Sequence, residues 1–279
     1  MKLAKLLMFF VVISVAGALM ASAQYLGLPD QNPEASLPSA DLPSTDLPSA
    51  ASQTPAPLPD FAAYGDTPAR KQAFVEYMLP LLRQGNRLIV AERAQLTEMQ
   101  LRLSSGWSLT HAQQSELDQM AVKYRVKGAE TTKELLASLL VRVDVVPASL
   151  VLAQAAAESG WGTSRFAREG NNLFGIACFS PGCGLTPKRR KAGHTNEVST
   201  YASVQDSVHA YILTLNSHSA YEQLREARAQ TRQDNQNMTG LALAEGLIRY
   251  SIRGMDYVKS IQTIIRANNL QRYTVATRA

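Results

Sequence analysis

The sequence predicts a mainly helical (α+β) protein with one small β-hairpin lobe, on three observations. From Thr67 onward apolar residues recur at spacings of three and four, the repeat of helices that each bury one face. Thr110, Thr131 or Thr132, and Ser203 stand where such runs begin, and their side-chain oxygens suit helix N-caps. Only residues 185–191 and 198–201 read as strands, on either side of Ala192-Gly193-His194, the pattern of a single hairpin. With 279 residues, 46% hydrophobic and 18% charged, the chain has enough apolar surface for a core without disulfide support.

The first residues read as an export signal. Lys2 and Lys5 precede an apolar run from Leu6 to Met20, and Ala21-Ser22-Ala23 places small residues at a cleavage site before Gln24. A run of about 15 residues is short for a membrane span, which needs about 20; the alternative is an uncleaved anchor. Without Lys2 and Lys5 the net charge falls from +5 to +3, because 26 basic residues remain against 23 acidic. That balance gives no reason to expect nucleic acid as a partner. Residues 24–60 follow as a linker, in which three Leu-Pro-Ser pentads and Pro55, Pro57 and Pro59 block helix and central strand alike.

Residues 61–140 read as an N-terminal helical platform. Phe74, Val75, Met78, Leu79 and Leu82 mark a first helix opened by Pro68, and Gly85-Asn86 is expected to break it. Leu88, Ile89, Ala91 and Leu96 mark a second helix. Leu117, Met120 and Val122 mark a third, and Leu135, Leu136, Leu139 and Leu140 a fourth. No cluster of titratable residues in this region reads as a site.

The next helix carries the chemistry. Leu150 to Ala157 is apolar on nearly every face, and Glu158, in its last turn, is its one ionisable residue. The negative end of the helix dipole and apolar surroundings both oppose the charge of Glu158, so both raise its pKa. A carboxylic acid held protonated near neutral pH is what a general acid for glycosidic cleavage requires. The alternative is a helix-terminal glutamate paired with Arg165 or Arg168. Trp161, between Gly160 and Gly162, offers a flat face on which a sugar can stack. Cys178 and Cys183 flank a Pro-Gly turn and suit a local disulfide in an oxidising compartment, the alternative being free thiols. Two thiolates without a matching imidazole do not make a zinc site, so neither metal nor cofactor is expected. Lys188-Arg189-Arg190-Lys191 can meet carboxylates or simply line a solvated strand.

Val146-Pro147-Ala148-Ser149, Gln154-Ala155-Ala156-Ala157-Glu158-Ser159-Gly160-Trp161-Gly162 and Asn171-Asn172-Leu173-Phe174-Gly175-Ile176 together resemble the glucosaminidase domain of glycoside hydrolase family 73. Cys178 to Leu185 and the upstream helices look like the Bax-like proteins of Gram-negative bacteria. The resemblance covers roughly residues 61–273. It implies a lysozyme-like helical domain over residues 141–273, with residues 274–279 as a tail. It also implies hydrolysis of the β-1,4 bond after N-acetylglucosamine in peptidoglycan, with Glu158 as catalytic acid.

The same resemblance points to a second group. Glu197 is the hairpin carboxylate, at the start of the second strand and later than where the family's acid is expected. Tyr257, in Met255-Asp256-Tyr257-Val258, looks like the family's tyrosine, while Asn172, Phe174 and Tyr201 are expected to contact substrate. The partner is then peptidoglycan glycan strands, and the place of action the periplasm, without stable membrane insertion once the leader is cleaved. Two alternatives stand beside this reading: a lytic transglycosylase, which leaves an anhydro-sugar end, and an inactive peptidoglycan-binding scaffold.

Overall fold

The computed structural model describes residues 57–65, 67–188 and 196–274. The leader, most of the linker, Asp66, the segment from Arg189 through Thr195, which holds the expected turn Ala192-Gly193-His194, and the tail beyond Thr274 lie outside the described residues. In chain order the elements are α1 (Pro68–Ser104), α2 (His111–Lys123), α3 (Thr132–Arg142), α4 (Ala148–Ser159), α5 (Arg165–Gly170), β1 (Ala177–Cys178), β2 (Gly184–Leu185), β3 (Glu197–Ser199), α6 (Val204–Ser217), α7 (Glu222–Gln233), α8 (Gly240–Leu243) and α9 (Met255–Ala267). This is the mainly helical architecture with a small β lobe that the sequence predicts.

The expected caps form. Thr110 with Gln113 and Thr131 with Glu134 make capping boxes at α2 and α3, each satisfying backbone donors that the first helical turn leaves open. The expected break at Gly85-Asn86 does not occur, and α1 runs unbroken for 37 residues. The two residues serve packing instead. A Cβ on Gly85 would lie 2.9 Å from Ile212 Cδ1 of α6, so only glycine lets α1 and α6 approach so closely. The Asn86 amide donates to the Val146 carbonyl at 2.9 Å and its oxygen accepts from the Val146 N–H at 3.2 Å. That pair pins α1 to the segment that leads into α4. Val122, expected on an apolar face, is exposed.

The central element is α4. Leu150, Val151, Leu152, Ala153 and Ala155 have no exposed surface, and the helix packs against α1, α8 and α9. One continuous core runs from Phe61 to Leu270, so the N-terminal helices and the segment bearing Glu158 share it. Fully buried Arg228 on α7 ties this core together. Its guanidinium donates to the carbonyls of Val141, Arg142, Asp144 and Val145 and to Asn216 Oδ1, satisfying acceptors exposed where α3 ends.

The sheet is antiparallel, ordered β1-β3-β2, with Ala177 opposite Val198 and Leu185 opposite Val198 on the other edge. The expected hairpin is therefore present as β2 and β3, but β2 ends at Leu185 rather than Lys191. β1 is an additional strand. The Cys178–Cys183 disulfide, with Cα atoms 6.2 Å apart, links β1 to the residue before β2, as the short spacing led us to expect. Among the described residues no helix is long and apolar enough to cross a membrane.

Candidate active site

Glu158 reaches the surface at the open end of α4, where Gly160 adopts left-handed backbone and stops the helix. Its carboxyl lines a cavity of about 640 Å3. One wall is the Phe174–Ala177 segment, which runs from the Asn-Leu-Phe-Gly turn into β1. The other is built from α6, Tyr221 and the Tyr250-Ser251 turn. Glu158 is the one carboxylate among the described residues that line it.

The partners of Glu158 are phenols. Tyr257, buried at the start of α9, donates its hydroxyl hydrogen to Glu158 Oε1 at 2.8 Å. The same hydroxyl accepts from Gln154 Nε2 at 3.0 Å, and Gln154 Oε1 accepts from the buried Tyr211 hydroxyl. Gln154 lies one helical turn before Glu158, so a single face of α4 fixes both the acid and the group that orients its partner. Tyr250 stacks on Tyr257 with ring planes 4° apart and donates to the Phe174 carbonyl at 2.6 Å. Phe174 in turn stacks on Tyr211 with centroids 4.0 Å apart. Glu158 Oε2 faces the Phe174–Ala177 wall, close enough to Gly175 that an added Cβ would be in van der Waals contact at 3.7 Å.

These surroundings set the protonation of the acid. Burial pushes the Glu158 pKa up; the hydrogen bond from Tyr257 and the positive charge of Arg253 pull back, and the net shift is upward. The phenols do not compete for the role of acid in the usual range. Burial, helped by the Glu158 charge, pushes Tyr221 up to about 12, and Tyr257 is raised further, again chiefly by burial. Of the alternative partners of Glu158, Arg165 is engaged elsewhere: it pairs with Glu169 at 3.2 Å and donates to the Thr186 carbonyl at 2.7 Å.

Of the other residues singled out in the sequence, the structure brings Tyr257 and Phe174 to Glu158 and leaves the rest outside the cavity. Glu197 accepts the backbone N–H of Gly182 at 3.2 Å and of Gly184 at 2.8 Å, so its carboxylate braces the disulfide loop. Trp161 packs edge-on to Phe74, with Lys71 Nζ 5.3 Å from its ring centroid, on the α1 side of α4. The Asn172 side chain donates to the carbonyls of Ile176 and Ser199 and accepts from the N–H groups of Phe174 and Ile176. It shapes the wall from behind. Tyr201 closes the backbone of the Asn171 turn, its carbonyl accepting from Asn171 Nδ2 at 2.9 Å.

Several lining residues went unrecognised in the sequence: Arg125, Phe179, Thr214, His218, Tyr221 and Tyr250. Phe179 had a usable signal. It is a large aromatic among the four residues between Cys178 and Cys183, with no room to reach a core, and it stands 75% exposed at the cavity edge.

One carboxyl whose pKa burial raises, at the foot of an aromatic-walled cavity on a helical body with a small β lobe, fits the class of glycan hydrolases that work with a carboxylic acid. Comparison with known proteins agrees on the class: residues 134–270 match the glucosaminidase family model, described as mannosyl-glycoprotein endo-beta-N-acetylglucosaminidase. The chain belongs to this family, glycoside hydrolase family 73. Within it the chain is 39% identical over 201 residues to protein Bax of Escherichia coli (strain K12), an alignment covering 72% of this chain and 70% of that protein. Among solved structures, the catalytic domain of the autolysin Auto from Listeria monocytogenes matches with a TM-score of 0.40 at 20% identity, covering 76% of this chain and 92% of that one.

Proposed function

We propose that the protein hydrolyses the β-1,4 bond after N-acetylglucosamine in peptidoglycan, in the periplasm, with Glu158 as general acid. The observation that carries this reading is the pairing of a half-buried, hard-to-ionise carboxyl with an open cavity and a phenol on its far oxygen. Tyr257 fixes Oε1, so the proton resides on Oε2, the oxygen that faces the cavity wall. As the C1–O bond lengthens, Oε2–H protonates the leaving oxygen and the sugar ring gains positive charge.

No second carboxylate lines the cavity among the described residues. The substrate's own 2-acetamido oxygen is therefore our choice for the group that attacks C1 from the opposite face, giving a cyclic oxazolinium ion. Glu158, now a carboxylate, then takes a proton from water as that water opens the ring, which regenerates the acid. Tyr257 orients Glu158 and stays protonated throughout. Phe179 offers the exposed aromatic face on which a sugar ring stacks, and Glu197 holds the loop that presents it.

Analysis of the muropeptides released from sacculi by the full chain tests this reading. New reducing N-acetylglucosamine ends that vanish with Glu158→Gln are the expected result. A single carboxylate also serves a lytic transglycosylase, for which anhydro-sugar ends would appear instead. Sedimentation with sacculi but no new ends would leave an inactive binding protein.

A further inference from the structure

Arg125 is a cationic side chain that nothing in the reaction above uses. It lies upstream of the segment that matches the family, in the N-terminal helical region, yet it lines the same cavity as Glu158, Thr214, His218 and Phe179. It is exposed, and among the described residues it makes no side-chain hydrogen bond or ion pair.

The turn that carries it is firmly held. α2 ends with Tyr124 as C-cap, and Arg125 follows with φ of 55°. The Val126 N–H returns to the Ala121 carbonyl at 2.9 Å, a helix ending whose left-handed position favours glycine. Tyr124 is completely buried and donates to Glu92 of α1, which also pairs with Lys123. The backbone of Arg125 is thus anchored to α1 while its side chain is left without a protein partner. An arginine occupies a position where glycine is conformationally easier, at the rim of the cavity that Glu158 lines.

Neutral sugars need aromatic faces and hydrogen-bonding groups, and the cavity has both. A lone guanidinium adds selectivity for a planar anion, which it binds with two parallel N–H donors. We propose that Arg125 is a specificity-determining residue that binds a carboxylate carried by the glycan, so that the N-terminal helical region selects muramic acid-containing strands over neutral N-acetylglucosamine polymers. This rests on the glucosaminidase reading of the cavity. The carboxylate has two possible sources, the stem peptide or the lactyl group exposed when that peptide is absent.

Binding measured without turnover tests the selection separately from the chemistry. The probes are soluble peptide-bearing glycan fragments, the same fragments stripped of peptide so that lactyl carboxylates are free, and neutral chitooligosaccharides. Full chains carrying Glu158→Gln, and Glu158→Gln with Arg125→Gly, are titrated with each. Glycine suits the backbone at position 125, so the added change should not lower the thermal midpoint.

The expected result is a ratio of carboxylate-bearing to neutral affinity that falls about tenfold when Arg125 is removed. Arg125→Lys should restore only part of it, because an ammonium lacks the paired donors. A loss confined to the peptide-bearing fragments assigns the stem peptide, and a loss confined to the stripped fragments assigns the lactyl group. Equal loss on all three probes, or none, overturns the proposal. Failure of the hydrolase reading would show separately, as absence of new glycan ends with the unsubstituted chain.

Discussion

Asp144 and Glu158 stand at opposite ends of the same buried helix, α4, and meet opposite environments. Asp144 is 2% exposed and lies just before the helix begins. Burial alone would raise its pKa, but the hydrogen bond from Arg232 and the charges of Arg228, Arg93 and Arg232 hold it below the usual carboxylate range. Glu158, at the other end, has a phenol for its hydrogen-bond partner and only the more distant charge of Arg253 in its favour, and there burial prevails. The contrast shows that burial by itself does not decide the role of an acid. With fixed cations the acid becomes a permanent anion that joins α1, α3 and α7; without them it becomes a proton reservoir.

The largest expected effect is at the reservoir. Glu158→Gln keeps an acceptor for Tyr257 but has no transferable proton, so turnover at saturating substrate should fall about 10²- to 10⁴-fold. The same change should stabilise the fold. A carboxyl whose folded pKa is raised favours folding when protonated, and that advantage disappears as pH rises through the folded value. Thermal midpoints of the variant and the parent should therefore coincide below the unfolded carboxyl pKa, with the variant increasingly ahead as pH rises above it.

Asp144→Asn should do the reverse. It leaves Arg228 buried against a neutral amide, a loss of about 3–5 kcal/mol that urea denaturation would register. Here the pH dependence has the opposite sign. The stability supplied by Asp144 is present above its unfolded pKa and fades as pH falls through the lower folded value. Together the two variants sharpen the comparison, since one loses activity and keeps its fold while the other loses stability.

Tyr257→Phe removes the bond that favours the ionised form of Glu158. It should lower kcat about tenfold, the scale of one lost charge-assisted hydrogen bond, and shift the alkaline limb of the pH–rate profile to higher pH. Glu197→Gln should have the smallest effect, a few-fold loss in kcat/KM, because a glutamine oxygen still accepts one of the two N–H groups that the carboxylate holds, at a cost of about 1 kcal/mol. A loss of 10² or more at Glu197 would place a second carboxylate in the reaction and break the picture of a lone acid.

Much of this was legible in the sequence because it depends on local pattern. The cap at Thr110, the choice of Thr131 or Thr132 for the next helix, the apolar circumference of α4 and the isolation of Glu158 on it follow from helical spacing, and the Cys178–Cys183 link, with free thiols as its alternative, from a Pro-Gly turn between two nearby cysteines. What escaped was set by distance in the chain. Gly85-Asn86 looks like a helix break until Ile212 and Val146 are placed beside it, more than 50 residues later. Tyr211, Tyr221 and Tyr250 stand far apart in the chain and become a wall only in three dimensions. Trp161 shows the converse: its motif suggests a sugar platform, but left-handed backbone at φ 58° and contact with Phe74 turn it toward α1.

The most direct test is a carboxyl-carbon NMR titration of the folded, unsubstituted chain that follows Asp144 and Glu158 in one sample. The account predicts that Asp144 titrates below the ordinary carboxylate range and Glu158 above it, with the midpoint of Glu158 moving further up in Tyr257→Phe. A Glu158 midpoint at or below that of an exposed glutamate would contradict it, since the acid would then be ionised where it is required to hold its proton.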